Sequence, residues 1–485
     1  MKANQLINSL TEILDVKGSD DVEIKSIAYD SRKVETGSLF VAIQGFKLDG
    51  HDYISEAVAK GATAVIGEKD VDLPENILYI KVKNSRKALS EASSLFFGKP
   101  AEKLKVVGVT GTNGKTTTTY LIKAILDEAG YSTGVVGTIG VRIKDRLLPS
   151  ERTTPESLEL NHIFSEMLKE GVEYVSMEVS SHSLKLHRVD HINFEVGVFT
   201  NLTQDHLDFH INFEDYYASK KKLFSLSRKA VINVDDESGR RLCRELNIPV
   251  LTYAIEEKAD VKAENVTINE SGVSFDVCAL DKRKKIRYRV PGRFSVYNSL
   301  AAISACLILG VDLDTIAEAL EKVKGVPGRF EPVDEGQDFT VIVDYAHTPD
   351  GLENVLSTIK SFARGRIITV FGAGGDRDRG KRPLMGRVVS EYSDYFIITS
   401  DNPRSEDPEA IIDDIEKGVS ENSKYERMPD RKEAIKRAIE LASEGDVILI
   451  AGKGHENYQI IKDKVLPFDD REVAREFLKK KERKQ

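Results

Sequence analysis

The sequence has few of the features on which secreted and membrane proteins depend. It contains three cysteines, Cys243, Cys278 and Cys306, which are far apart, lack the spacing of metal ligands and have apolar neighbours. We interpret them as reduced packing residues. No stretch approaches the roughly 20 apolar residues that span a bilayer, and the first residues, MKANQLINSL, lack the apolar core of a signal peptide. These absences predict a cytoplasmic protein without membrane insertion.

The charge balance limits the kinds of partner that the chain can have. Asp and Glu number 79 against 70 Lys and Arg, which gives a formal net charge of -9. Such a chain is not a general binder of nucleic acid or of anionic membranes, although one local basic pocket is compatible with it. A composition of 40% hydrophobic and 31% charged residues is typical of a soluble globular protein. We therefore expect small-molecule partners and no nucleic acid.

Residues 104 to 119, LKVVGVTGTNGKTTTT, have the pattern of a buried strand, a glycine turn and the start of a helix. Gly111 and Gly114 allow several backbone N–H groups to point at one position, and Lys115 at the start of the helix adds a positive charge. Thr116 is placed to ligate Mg²⁺. The pattern predicts a phosphate-binding loop of the shorter G-x-x-G-K-T form. The alternative is a glycine turn that joins strand to helix without binding a nucleotide.

The length of 485 residues predicts about three domains of about 150 residues each. Strand and helix patterns alternate along most of the chain, which favours an α/β fold with mostly parallel sheets covered by helices. A polar joint at FFGKPAEKL and a glycine-rich break at GVPGRFEPV separate three segments. We also expect an apolar helix after Asn298.

Polar residues follow the predicted strands at the ends where open parallel sheets bind ligands. Each cluster by itself is compatible with ordinary turn chemistry, but six clusters at successive strand ends favour a binding site. The clusters are Glu178 with Ser180 and Ser181; Asn201 with Asp205, His206, Asp208 and His210; Asp344 with His347; Asp376 with Arg377; Asp401 with Asn402 and Arg404; and Lys453 with His455 and Glu456.

Two of these residues are candidate metal ligands. Val175, Met177 and Val179 share one face of a strand, so the Glu178 carboxylate falls on the other face at the strand tip, where it can be the second Mg²⁺ ligand beside the loop threonine. His206 lies in a DHLD turn and is either a hydrogen-bonded cap or a metal ligand.

Lys220 lies in the middle of a predicted apolar helix face. Phe213, Tyr216, Tyr217, Leu223 and Phe224 recur at the three- and four-residue spacing of that face. The spacing leaves two possibilities for Lys220, a side chain that extends to solvent along the apolar face or a special role.

Taken together, these motifs resemble the Mur ligase family over nearly the whole chain. The segments that carry the resemblance are GVTGTNGKTTTT, MEVSSHSLKLHRV, TNLTQDHLDFH, YYASKKKLF, PGRFSVYN, VPGRFE, VDYAHTPD, GAGGDRDRGKRPLMG and SDNPRSE. The resemblance implies three domains, which are an N-terminal α/β UDP-substrate-binding domain over 1–101, a central phosphate-loop ATP-binding domain over 102–331, and a C-terminal Rossmann-like amino-acid-binding domain over 332–485.

The resemblance also implies roles for individual residues. Lys115, Glu178, His206 and Lys220 match catalytic positions. Contacts to ATP are implied for Gly111, Thr112, Asn113, Gly114, Lys115, Thr116, Thr117, Asn298, Arg329, Asp344 and His347. Metal contacts are implied for Thr116, Glu178, His206 and Lys220, the last as N6-carboxylysine. Contacts to the UDP substrate are implied for Ser31, Thr153, Thr154, Ser180 and Arg188, and contacts to diaminopimelate for Arg377, Asp401, Asn402, Arg404, Gly452 and Glu456.

The implied activity is an ATP-dependent amide ligation in peptidoglycan precursor synthesis, which supports cell-wall formation, cell shape and division. The D-glutamyl γ-carboxylate of UDP-MurNAc-L-Ala-D-Glu would be activated as an acyl phosphate and attacked by the amine of meso-diaminopimelate. ATP is then the co-substrate, Mg²⁺ the cofactor, and a monomer the expected state. Arg404 suits the second carboxylate of diaminopimelate.

Three other functions are compatible with parts of the pattern. One is a lysine-adding version of the same ligase, which Arg404 disfavours. The second is a ligase like folylpolyglutamate synthase, which the N-terminal segment DSRKVETGSLFVAIQG disfavours. The third is a phosphate-loop module that binds nucleotide without chemistry.

Overall fold

The fold is described by a computed structural model over residues 1–46, 48–150, 152–279 and 281–482. The chain divides into two compact units. The first consists of Met1–Gly108, Tyr131–Gly197 and Ser219–Arg228, and the second of Val109–Gly130, Val198–Ala218 and the chain from Lys229 onward. Over the described ranges, no helix combines the length and apolar character needed to cross a bilayer.

The helices are numbered in chain order. Helices α1 to α15 are Ala3–Ser9, Ile54–Ala59, Ser85–Phe96, Lys115–Glu128, Ser157–Lys169, Ser181–Lys185, Phe213–Ser225, Glu237–Glu245, Arg293–Ile308, Leu313–Lys322, Pro349–Phe362, Lys381–Tyr392, Pro408–Glu416, Arg431–Leu441 and Asp470–Glu482. Short 3-10 helices cover Ser31–Lys33, Gly50–Tyr53 and Pro100–Glu102.

The strands are numbered in the same way. Strands β1 to β24 are Ile13–Lys17, Ser26–Ala28, Ser38–Val41, Ala62–Gly67, Leu78–Val82, Lys105–Thr110, Thr133–Gly137, Gly140–Ile143, Arg146–Leu148, Tyr174–Glu178, Val196–Phe199, Ala230–Asn233, Val250–Ala254, Val261–Asn269, Gly272–Ala279, Lys282–Tyr288, Glu331–Pro332, Thr340–Asp344, Ile367–Phe371, Tyr395–Ile398, Tyr425–Arg427, Val447–Ala451, Tyr458–Ile461 and Lys464–Pro467.

The first unit contains a sheet in the order β1-β5-β4-β3-β2, in which only the β1–β5 pair is antiparallel. Successive residues of a strand point to opposite faces, so Leu39 and Phe40 enter two separate apolar clusters, one on each side of the sheet. The same unit contains strands in the order β10-β7-β8-β9. There β10 and β7 are parallel, and β7, β8 and β9 form antiparallel hairpins that the sequence did not predict.

The second unit contains parallel strands β12, β13 and β14, followed by antiparallel pairings of β14 with β15 and of β15 with β16. A six-stranded sheet lies closer to the C-terminus, in the order β17-β18-β22-β19-β20-β21, with every pair parallel except β17 with β18. All five residues of β22 are buried, as expected for a parallel strand that helices cover on both faces. The α/β fold with mostly parallel sheets is therefore confirmed.

One predicted boundary was wrong. Helix α9 begins at Arg293 and not after Asn298, which lies inside it. The turn that precedes the helix lies at Pro291 and Gly292. Gly292 has a φ of 106°, a conformation that other residues rarely adopt. Asn298 thus lies within the helix and is buried.

Candidate active site

The phosphate loop joins the end of β6 to α4 in the predicted way. Gly111 has a φ of 148° and Gly114 a φ of 87°. A β-carbon at Gly111 would collide with the hydroxyl of Thr200, and one at Gly114 would collide with the side-chain oxygen of Asn298. Both positions therefore require glycine for conformation and for space.

The loop is fixed by the segment that follows β11. The backbone N–H of Thr112 donates to the Asn201 carbonyl at 2.9 Å, and that of Asn113 donates to the Asn201 side-chain oxygen at 2.9 Å. The Lys115 ammonium donates to the carbonyls of Gly111 and Thr112 at 2.9 and 2.7 Å. Together with the N-terminus of α4, where Thr117 occupies the first turn, this cation gives the loop the electrostatics of an anion site.

Residues from later in the second unit also contact this loop. Arg329 donates through Nη2 to the Thr116 hydroxyl at 2.8 Å, and its guanidinium lies 4.3 Å from the centre of the Tyr345 ring. The Asn113 side chain donates to Asp350, at the start of α11. Burial raises the pKa of Asp350. The loop is therefore held by side chains that are more than 200 residues away from it in the sequence.

Asp344 and His347 lie at and beyond the end of β18. Asp344 accepts backbone N–H donors from Phe330 and Ala346, each at 2.7 Å, and burial raises the pKa of its carboxyl group. The Nδ1 of His347 is 2.8 Å from the Tyr345 carbonyl, which can only accept, so Nδ1 carries the hydrogen and Nε2 is left as an acceptor. Burial, reinforced by the charge of a nearby lysine, lowers the pKa of His347 to about 4, so the ring is neutral near pH 7.

Glu178 ends strand β10 in the first unit and is 1% exposed. Thr138 fixes its carboxylate with two donors, the backbone N–H to Oε1 at 2.8 Å and the hydroxyl to Oε2 at 3.0 Å. The Thr153 hydroxyl is 3.1 Å from that of Thr138. Thr138 thus contacts both Glu178, a candidate metal ligand, and Thr153, a candidate contact to the UDP substrate.

The other candidate UDP-substrate residues in this unit form a connected network. The Thr154 hydroxyl donates to the Glu178 carbonyl at 2.8 Å and accepts the Ser180 backbone N–H at 3.1 Å. Arg188 donates to the Thr154 carbonyl at 3.1 Å and pairs with Glu156 at 2.9 Å, while its burial lowers its pKa.

Ser31, the remaining candidate contact to the UDP substrate, is not part of this network. It starts a 3-10 helix and is buried, and its carbonyl accepts the Lys60 ammonium at 3.1 Å. Over the residues that the structure describes, no hydrogen bond joins Ser31 to the other candidate UDP-substrate residues.

Lys220 and His206 have different surroundings. Lys220 lies in α7 and is only 2% exposed. The alternative in which its side chain extends to solvent is therefore wrong.

His206 has a φ of 57°, and its Nε2 is 3.4 Å from Oδ2 of Asp205. The other carboxylate oxygen of Asp205 is 3.7 Å from the Lys381 ammonium. Burial opposes ionisation of Asp205, but the charges of His206 and Lys381 keep its pKa well below its ordinary value. The described residues contain no group of three or more His, Cys, Asp or Glu side chains arranged to hold a metal ion.

Arg377 and Arg404 lie near each other beyond the carboxyl ends of β19 and β20, and both approach Gly374. Arg404 has a φ of 52° and donates through Nη1 to the Gly375 carbonyl at 2.8 Å. Arg377 donates to the Asp376 carbonyl at 2.9 Å, and burial together with the positive charge of Arg404 lowers its pKa. Two adjacent guanidinium groups are suited to a carboxylate.

An acidic cluster lies beside these arginines. The Asn402 side chain donates to Oε2 of Glu456 at 2.9 Å, and Lys453 donates to the same oxygen at 3.0 Å. Gly452, with a φ of 119°, faces Asp401, and a β-carbon there would be 2.6 Å from Oδ2 of Asp401. The structure thus brings together every residue predicted for the added amino acid.

Two residues that hold parts of the site in place, Thr138 and Arg382, were missed in the sequence. Thr138 gave no signal, because it meets Glu178 only through the parallel pairing of β7 with β10. Arg382 is fully buried and binds Glu406 through two donors at 2.9 and 2.8 Å, which holds the loop before it against the segment that carries Arg404. Lys453 belongs to the predicted polar cluster with His455 and Glu456, but the sequence does not show that its side chain points toward Asn402 and Glu456.

Comparison with known proteins places these features in a family. Three family models match the chain, namely "Mur ligase family, catalytic domain" over 23–97, "Mur ligase middle domain" over 109–306, and "Mur ligase, glutamate ligase domain" over 328–454. The chain belongs to the Mur ligase family. Among similar proteins, this Mur ligase is 50% identical over 483 residues to the UDP-N-acetylmuramoyl-L-alanyl-D-glutamate--2,6-diaminopimelate ligase of Clostridium tetani, covering 99% of both chains.

Solved structures agree with this assignment. A structure of a UDP-N-acetylmuramoyl-L-alanyl-D-glutamate--2,6-diaminopimelate ligase matches with a TM-score of 0.71 and 32% identity, covering 99% of both chains. MurF ligase from Thermotoga maritima in complex with ADP has the same fold, with a TM-score of 0.65 at 20% identity, covering 95% of this chain and 98% of that chain.

Proposed function

We propose that this Mur ligase uses ATP to join 2,6-diaminopimelate to the D-glutamyl γ-carboxylate of UDP-MurNAc-L-Ala-D-Glu. The observation that carries the proposal is the 50% identity over nearly the full length to a ligase with that name. The paired guanidinium groups of Arg377 and Arg404 agree with it, because diaminopimelate has a second carboxylate that lysine lacks.

The residues of the phosphate loop would bind and orient ATP. Lys115 and the N–H groups at the start of α4 offset the charge of the phosphates, and Asn298, Arg329, Asp344 and His347 line the rest of the nucleotide site. The γ-carboxylate attacks the γ-phosphorus and ADP leaves, which gives an acyl phosphate. The amine of diaminopimelate then attacks the acyl carbon, phosphate leaves and the amine loses a proton. The protein contributes mainly orientation and charge neutralisation.

Thr116, Glu178, His206 and Lys220 as N6-carboxylysine are the proposed Mg²⁺ ligands. The buried, doubly hydrogen-bonded carboxylate of Glu178 fits an oxygen-seeking cation, since a buried carboxylate needs compensating positive charge. A carbamate on Lys220 would replace a buried ammonium with an oxygen ligand. When bound, Mg²⁺ supplies charge neutralisation for phosphate and carboxylate oxygens.

The end of diaminopimelate that does not react carries a carboxylate and an ammonium group. We assign the carboxylate to Arg377 and Arg404, and the ammonium to Asp401, Asn402 and Glu456 near Gly452. A lysine substrate would leave the two guanidinium groups without an anion, which is itself unfavourable.

The remaining assignments concern the whole chain. We propose domain boundaries at 1–101, 102–331 and 332–485, which the family matches at 23–97, 109–306 and 328–454 support. Ser31, Thr153, Thr154, Ser180 and Arg188 are the proposed contacts to the UDP substrate. The proposed setting is the cytoplasm, with peptidoglycan precursors as substrates and no nucleic acid, and a monomer that light scattering would test.

A coupled assay of ADP release separates this function from a nucleotide-binding module. A ligase releases ADP only when both the UDP-dipeptide and the amino acid are present, with one ADP for each peptide bond. ADP release without either substrate, or none with both, would contradict the proposal.

A further inference from the structure

Lys453 is a fully buried lysine for which the proposed reaction has so far given no role. It follows β22 by two residues, and its side chain has 0% exposure. Its ammonium donates to Oε2 of Glu456 at 3.0 Å and to Oδ1 of Asn402 at 3.2 Å. Since Asn402 also donates to that Glu456 oxygen, the three side chains form a closed triangle. Its ammonium also lies 5.5 Å from the centre of the Tyr458 ring.

Two carboxylates and two buried cations surround this triangle. Asp401 and Glu456 are carboxylates, and the nearest buried cations are Lys453 and Arg431. Arg431, however, is held by Asp470 through two hydrogen bonds of 2.8 and 2.7 Å. Arg431 is thus paired with Asp470, and the neighbouring Arg377 and Arg404 are assigned to the carboxylate of the ligand, so Lys453 is the cation left to offset Asp401 and Glu456.

Two observations show where the positive charge of a ligand would be received. Oδ2 of Asp401 is buried and has no hydrogen-bond partner among the described residues. Gly452 keeps the space in front of this oxygen open, because a β-carbon there would be 2.6 Å away. A buried unpaired carboxylate oxygen facing such a space favours a cationic ligand.

We propose that Lys453 is a positioning residue that holds Glu456 and Asn402 in place to receive the ammonium group of the incoming amino acid. This inference rests on the proposed function. Lys453 offsets the repulsion between two buried carboxylates and fixes Oε2 of Glu456, so that the other oxygen faces the ligand. Burial and the charge of Asp401 raise the pKa of Glu456, and Lys453 opposes both effects by favouring the charged carboxylate.

The test is a double-mutant cycle of Lys453→Met and Glu456→Gln, with KM and kcat measured separately for diaminopimelate, ATP and the UDP-dipeptide. We expect Lys453→Met to raise KM for diaminopimelate by about 10- to 100-fold, the scale for losing a hydrogen bond to a charged group, with little change in the other two KM values. In the Glu456→Gln background, Lys453→Met should raise KM for diaminopimelate less than threefold, because the Glu456 carboxylate that Lys453 holds is no longer present. Lys464→Met, at an exposed position on β24, is the control and should match the wild type.

Thermal unfolding identifies variants that do not fold, and Lys453→Gln, which keeps a donor without the charge, replaces Lys453→Met in that case. A lower kcat with an unchanged KM for diaminopimelate would indicate a merely structural residue and would overturn the inference. Fully additive effects of the two substitutions would overturn it as well. If the wild type forms no peptide product, the proposed function fails, whereas a normal wild type with additive variants refutes only the role of Lys453.

Discussion

The contact between Thr138 and Glu178 gives a quantitative prediction about the proposed metal site. Valine has nearly the shape of threonine, so Thr138→Val removes the hydroxyl that donates to Oε2 at 3.0 Å and leaves the backbone donor to Oε1 in place. The Glu178 carboxylate should then become less well oriented, while the surrounding packing is retained.

The expected size follows from the bond that is lost. A hydrogen bond to a charged group contributes about 1.5–3 kcal/mol, and the lower end applies because one donor to Glu178 remains. A loss of about 1.5 kcal/mol corresponds to roughly a tenfold change in an equilibrium constant. We therefore expect the free Mg²⁺ concentration at half-maximal rate to rise about tenfold in Thr138→Val. Because Thr153 also contacts Thr138, KM for the UDP-dipeptide should rise by a smaller factor.

The assay is the initial rate of ADP release as free Mg²⁺ is varied at a fixed, low ATP concentration. Ser176→Ala is a matched control, since Ser176 lies on the same strand as Glu178 and its buried hydroxyl has no hydrogen-bond partner over the described part of the chain. The control should keep the wild-type Mg²⁺ dependence. An unchanged midpoint in Thr138→Val, or an equal shift in Ser176→Ala, would refute the reasoning that Glu178 is a metal ligand held by Thr138.

Three further predictions concern the charged residues. If a carbamate on Lys220 is a metal ligand, Lys220→Ala should lose nearly all ligation and regain part of it with short carboxylic acids, while Lys222→Ala, at an exposed position, should keep it; equal losses would refute this role. Lys115→Ala should lower turnover on the order of a thousandfold without changing the melting temperature, and near-normal ADP release would remove its catalytic role. Arg404→Ala should cost about 2–5 kcal/mol in kcat/KM for diaminopimelate and far less for lysine, and an equal loss for both substrates would contradict the assigned carboxylate contact.

Local patterns in the sequence predicted the parts of the fold that depend on neighbouring residues. The phosphate loop was predictable because its glycines, Lys115 and the apolar spacing of α4 lie within one short segment. The buried strands β10 and β22 were predictable for the same reason. The start of α9 was misplaced, because the apolar pattern does not reveal that the break falls at Gly292.

The contacts that orient the candidate site could not be predicted in this way. Thr138 and Glu178 are 40 positions apart, and Arg382 and Glu406 are 24 apart, so each pair meets only when parallel strands and their crossovers are in place. Lys453 and Asn402 are 51 positions apart, so their contact also forms only in the folded chain. Local motifs thus identify the candidate residues of the site, whereas the contacts that orient those residues depend on tertiary structure.

The most direct test of the proposed function is the mass of the product made by the wild-type protein. The purified protein would be incubated with ATP, Mg²⁺, UDP-MurNAc-L-Ala-D-Glu and either meso-diaminopimelate or L-lysine, and the nucleotide products analysed by mass spectrometry. We predict a UDP-linked tripeptide whose mass increases by one diaminopimelate residue, and little or no product with lysine. Equal formation of the lysine product, or the absence of any peptide product while ATP is consumed, would contradict the proposed function.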